Sequence, residues 1–122
     1  MANRNTIWYG VADPVTASGA TTTITLQDDV YVYPVTVEAD TEIVFDTSEL
    51  TAPGVDPEKW GTQFYVLLAM GATVRSVTFP SGVTWNCNIG PTLNAANKKY
   101  LIRFDTVGAN VTIGNYDGSI NA

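Results

Sequence analysis

Thr22-Thr-Ile-Thr-Leu-Gln27, Asp28-Asp29, Val30-Tyr-Val-Tyr-Pro-Val-Thr-Val37 is strand, turn and strand in sixteen residues. In the first segment Ile24 and Leu26 alternate with Thr23 and Thr25. Side chains two apart share a strand face, so this alternation gives one apolar face and one polar face. In the second segment Tyr31, Tyr33, Val35 and Val37 share a face. β-branched and aromatic side chains suit a pleated surface, and Asp-Asp suits a turn. Pro34 lacks a ladder N–H and predicts an edge strand or a bulge there.

The same grammar extends in both directions. Thr6 to Val11 is an apolar run closed by Asp13-Pro14, and Glu42 to Asp46 sends Ile43 and Phe45 inward. Thr62 to Met70 is continuously apolar and reads as a central strand buried on both faces. Thr73 to Phe79 and Val83-Thr-Trp85 flank the turn Pro80-Ser-Gly82. Lys99 to Asp105 alternates, with Tyr100, Ile102 and Phe104 inside, and Val111 to Ile113 is the last predicted strand. Between Thr47 and Gly61 strand character lapses, and Pro57-Glu-Lys-Trp60 allows a short helical turn behind an Asp cap. About eight or nine short strands separated by turns predict an all-β chain, an antiparallel β-sandwich or jelly roll. Residues 1–122 read as one domain, with a short N-terminal arm (1–5) and a C-terminal tail (114–122). No internal repeat is convincing, since Val83-Thr-Trp85 and Thr6-Ile-Trp8 share only a terminal Trp.

Composition narrows the function. The 122 residues carry 12 acidic and 6 basic side chains, a net charge of −6, and no histidine. Charged residues are 15%, against about 25% in a typical soluble domain. Thr, Asn, Ser and Gly take their place and favour strands and turns. Lys98-Lys99 is the only basic pair, so the phosphate contacts of a nucleic-acid binder are not expected. The longest apolar run, Phe64 to Met70, is too short to span a bilayer, and no signal peptide is visible. A lone cysteine, Cys87, reads as a buried, inert thiol.

Without histidine the Ser–His and Cys–His nucleophile arrangements are missing. Carboxylate pairs remain, namely Asp28/Asp29, Asp40/Glu42 and Asp56/Glu58. Glycoside hydrolysis needs two carboxylates facing across a cleft at roughly 5–10 Å, but these pairs read more simply as solvated turns and strand ends. No calcium-loop pattern is present. The chain is therefore expected to be no enzyme and to need no cofactor and no metal. The aromatics carry more information. Trp8, Tyr9, Tyr31, Tyr33, Trp60, Tyr65, Trp85, Tyr100 and Tyr116 suit a sugar-binding face or a subunit interface. Tyr65, Trp85 and Tyr100 read as core. Trp8, Tyr9, Trp60 and Tyr116 are the candidate interface or glycan-facing aromatics, with Trp60 foremost because it sits in the longest loop.

The stretch Gly71-Ala-Thr-Val-Arg-Ser-Val-Thr-Phe-Pro-Ser-Gly-Val-Thr-Trp85, then Gly90-Pro-Thr-Leu93, then Lys99-Tyr-Leu-Ile-Arg-Phe-Asp105, resembles a module of virion structural proteins in tailed bacteriophages. There a strand ending in a "TFP" turn is followed by a Trp, a "P-T-L" loop and a "K-Y-x-I-x-F" strand. The resemblance spans roughly residues 42 to 113. The "dGG-x-x-W-x-G" end common in that family is reduced here to Asp117-Gly118, without the Trp. The resemblance implies a virion component made in the bacterial host cytoplasm, a homotrimer that decorates the capsid or forms part of a head or tail fibre. Its partners would be sister chains and other virion proteins such as the capsid. A non-catalytic carbohydrate-binding module for host-surface glycan is the second expectation.

Overall fold

The computed structural model describes residues 10–51, 61–86, 90–107 and 110–121. It is all-β, with no α-helix among the described residues. The strands are β1 (Gly10–Val11), β2 (Val15–Ala17), β3 (Thr21–Thr25), β4 (Val30–Val37), β5 (Thr41–Asp46), β6 (Gln63–Met70), β7 (Val77–Thr78), β8 (Thr84–Trp85), β9 (Lys98–Val107) and β10 (Asn110–Asn121). A large sheet has the order β1-β4-β6-β9-β10-β8, with β2 also on β4, and a small sheet has the order β3-β5-β7.

The chain winds from one sheet to the other and back. β1 and β2 lie in the large sheet, β3 in the small, β4 in the large, β5 in the small, β6 in the large and β7 in the small. Each turn therefore lays a strand parallel to the one before it. Val15 stands beside Val35 and Thr21 beside Glu42, a period of about 20 residues. The expectation of antiparallel pairing is corrected here. The pairs β1–β4, β2–β4, β4–β6, β3–β5, β5–β7 and β8–β10 are parallel, and only β6–β9 and β9–β10 are antiparallel. Alternation along a strand reports which face is buried and is silent on neighbour direction. The winding also exposes a repeat that the letters hid. Pro14-Val15-Thr16-Ala17 lies in the column next to Pro34-Val35-Thr36-Val37, with Val15, Thr16 and Ala17 opposite Val35, Thr36 and Val37.

Pro34 lies in an interior strand, between β1/β2 and β6. The edge-or-bulge expectation fails there for a geometric reason. The Val32 carbonyl accepts from Ala12 N at 2.9 Å, so Val32 turns its backbone polar groups toward β1. Pro34, two residues on, turns the same way. Its missing N–H therefore faces the break between β1 and β2, and the ladder to β6 loses no bond to it.

Residues 114–121, expected as a tail, continue β10 and pair with β9 from Phe104 back to Lys98. Their polar, Gly-containing sequence has no apolar alternation to announce a strand. Backbone pairing to the long β9 supplies the order instead. The N-terminal arm (1–5) and the helical turn expected at 57–60 lie outside the described residues, as does Cys87.

One core joins the two sheets. Val35, Val37, Phe64, Val66, Leu68, Ile102 and Phe104 from the large sheet and Ile24 and Ile43 from the small sheet are buried. Phe45 of the small sheet meets Phe64 at a centroid distance of 5.3 Å and Phe104 at 5.0 Å. Trp85 packs on Phe79 and Phe104 at 5.6 and 5.7 Å, and Tyr100 is buried, so both belong to the core as expected. Tyr65 does not. It points out of β6, the strand expected to be buried on both faces, and only the Phe64, Val66, Leu68 and Met70 side of that strand is buried.

Candidate binding surface

That outward face of the large sheet is the most distinctive surface of the described chain. Parity fixes its members. β4 buries Tyr33, Val35 and Val37 and turns Val32, Pro34 and Thr36 outward. β6 turns out Gln63, Tyr65, Leu67 and Ala69, and β9 turns out Lys99, Leu101, Arg103 and Asp105. Register aligns them in rows. One row runs Val11, Val32, Tyr65, Arg103 and Asn115. The next holds Pro34, Leu67 and Leu101. Above it lie Thr16, Thr36, Ala69 and Lys99.

The outward residues of β4 and β6 carry no charge. Leu67 and Tyr65 are half-buried, while Leu101 and Val11 are 36% and 62% exposed. Contiguous apolar residues on a sheet face that no described element covers mark a binding surface more often than scattered ones do; at the β10 end of this face Asn115 is buried. Charge appears on β9. Gln63 Nε2 donates to Asp105 Oδ1 at 2.9 Å, and Arg103 Nε lies 4.0 Å from Asp105 Oδ2. That separation is too long for a hydrogen bond, and Arg103 Nε is shielded from water with no hydrogen-bond partner among the described residues.

The small sheet turns out a different face. Thr21, Thr23, Glu42 and Thr78 are exposed, with Val44 and Asp46 half-buried.

A cleft of about 360 Å³ opens beside the turn between β3 and β4, lined by Asp28, Asp29, Tyr31, Tyr33, Leu50 and Thr51 among others. Asp29 takes the left-handed conformation (φ 62°) that closes this turn. Asp tolerates that region better than most residues. Tyr33 anchors the turn from the core. Its hydroxyl accepts from Gln27 N at 2.8 Å and has the Val30 carbonyl at 3.0 Å to donate to. Burial raises its pKa above the ordinary tyrosine value, opposed by the Gln27 N–H and reinforced by Asp28. Asp28 Oδ1 accepts from Thr51 N at 3.0 Å, and hydrogen bonding from Thr51 holds its carboxyl below the usual range. An ionised carboxylate committed to a loop is no proton donor. Asp40 is likewise occupied, accepting from Ser76 N at 2.8 Å. A smaller groove of about 200 Å³ continues past Tyr31 to Val32, Gln63 and Tyr65.

Of the sequence-chosen aromatics, Trp8, Tyr9 and Trp60 lie outside the described residues, and Asp56/Glu58 do too. Tyr116 is on β10 opposite Ile102, and its backbone alone is described. Tyr31 and Tyr65 are the aromatics that the structure brings to one groove. The outward apolar residues Val32, Pro34 and Leu67 were missed, and the continuous apolar run of β6 was the signal that could have found them. No His/Cys/Asp/Glu group able to hold a metal, and no helix long and apolar enough to cross a membrane, occurs among the described residues.

Fold and surface define an all-β protein whose large sheet turns out an apolar face that no described element covers. No family model matches the chain, and no curated protein or solved structure does either.

Proposed function

We propose that this chain is a structural protein of a tailed-bacteriophage virion, a capsid decoration or head/tail fibre subunit that acts by assembly and without catalysis. The "TFP…TW…PTL…KYLIRF" pattern carries the virion part of this reading. The outward apolar face of the large sheet, which no described element covers, supports the assembly part. The domain is best regarded as a β-sandwich-like pair of layers, wound in parallel where a jelly roll would be antiparallel. It works as a homotrimer on the virion, with sister chains and the capsid as partners. Two measurements test this. Light scattering after size exclusion should give the mass of three chains, and antibodies to the chain should label particles of the phage that encodes it. A one-chain mass at all concentrations with unlabelled particles overturns the reading.

One observation favours a second reading, a module that binds host-surface glycan. Tyr31, Gln63 and Tyr65 share a groove that continues into the Asp28 cleft. Aromatic faces stack on sugar rings, while amide and carboxylate groups take hydroxyls. A glycan array should then show binding that Tyr65→Ala reduces at least tenfold, and an array with no binding removes this reading.

A further inference from the structure

We propose that the outward face of β4 and β6, centred on Pro34, Leu67 and Leu101, is where a second copy of this chain docks. The inference rests on the assembly reading above and names its surface.

Two observations select a second copy as the occupant. The first is electrostatic. Copies of a chain with net charge −6 repel one another wherever their carboxylates meet. Among the described basic residues, Lys98, Lys99 and Arg103 all lie on β9, and Arg75 alone lies elsewhere. The large-sheet face sets Lys99 and Arg103 against Asp105, whereas the small-sheet face shows Glu42 and Asp46 with no cation among its outward residues. The large-sheet face is thus the one that neighbouring copies of an acidic trimer can turn toward one another without stacking carboxylates. The second observation is size. Columns spaced about 4.8 Å apart, five across and about seven residues tall, outline roughly 500 Å². That falls short of the about 800 Å² per partner of a standard interface and fits a weak, reversible one.

The test compares solution masses of the full chain and three variants. Leu67→Lys and Leu101→Lys place a charge in the centre of the face, and Thr23→Lys places one on the small sheet. The expected result is an oligomer for the natural chain and for Thr23→Lys, and one-chain mass for both leucine variants with unchanged far-ultraviolet circular dichroism. If the natural chain is oligomeric and both leucine variants stay so, the face is wrong while the assembly reading stands. If the natural chain is monomeric throughout, the docking of a second copy is overturned. A glycan hit on such a monomer would assign the face to the second reading.

Discussion

Two threonines show how sharply single residues are constrained in this core. Thr22 and Thr41 are both buried, and their hydroxyl oxygens lie 2.7 Å apart across the β3–β5 boundary. Each hydroxyl satisfies the other in a place water does not reach. Removing one leaves an orphan, which costs about 1–3 kcal/mol, whereas removing both can be nearly neutral. Urea denaturation should therefore show Thr22→Val destabilised and Thr22→Val/Thr41→Val restored close to the natural chain. Additive losses would mean the two hydroxyls do not depend on each other. Gly114 is constrained by space. A Cβ there would run into the Trp85 ring and approach Val83. Gly114→Ala should cost about 1–3 kcal/mol by overpacking, measured in the same way.

At the scale of elements, the turns are held by titratable side chains, so the pH range of stability follows from them. Asp28 and Asp46 have carboxyl pKa values lowered by hydrogen bonds from Thr51 and Ser48 respectively. A lowered folded-state pKa means stability that is present above the ordinary carboxylate range and lost as pH falls through the folded value. Tyr33 is shifted upward, first by burial. Its contribution is full below about pH 10 and is lost as pH rises through the raised value. Thermal melts across pH should show loss at both ends, and Asp28→Asn should flatten the acid limb. Tyr33→Phe should lower stability at neutral pH by about 1–2 kcal/mol and remove part of the alkaline loss. An acid limb unchanged in Asp28→Asn would show that Thr51 does not depend on the carboxylate.

For the whole molecule, net charge and the apolar face pull in opposite directions. Self-repulsion of chains at −6 is long-ranged at low salt and screened within about 8 Å at 0.15 M. Apolar burial is insensitive to this range of salt. Association should therefore tighten as salt rises from about 0.01 to 0.15 M, seen as a growing scattering mass at fixed concentration. Weakening over the same range would point to an interface built on ion pairs between opposite charges.

The sequence by itself determined where strands β3 to β6 and β9 lie and which residues β3, β5 and β9 turn inward. Ile24, Leu26, Ile43, Phe45, Tyr100, Ile102 and Phe104 are legible because side-chain alternation is a local property with a period of two. It determined the absence of histidine chemistry as well. Only the tertiary structure decided which strands are neighbours. β3 and β4 are joined by the Asp28-Asp29 turn, yet they belong to different sheets, and Val35 stands beside Val15 and Leu68. Backbone hydrogen bonds make those pairings, and backbone groups are nearly the same for every residue, so letters barely record them. The same reason hid the strand at 114–121 and the repeat of Pro-Val-Thr. The binding surface was half legible for a related reason. The apolar run of β6 announces hydrophobic side chains on both faces, but whether something covers the second face depends on the layers around it. Here the small sheet packs on one face, because β3, β5 and β7 alternate with β2, β4 and β6 on that side, and no described element covers Tyr65 and Leu67.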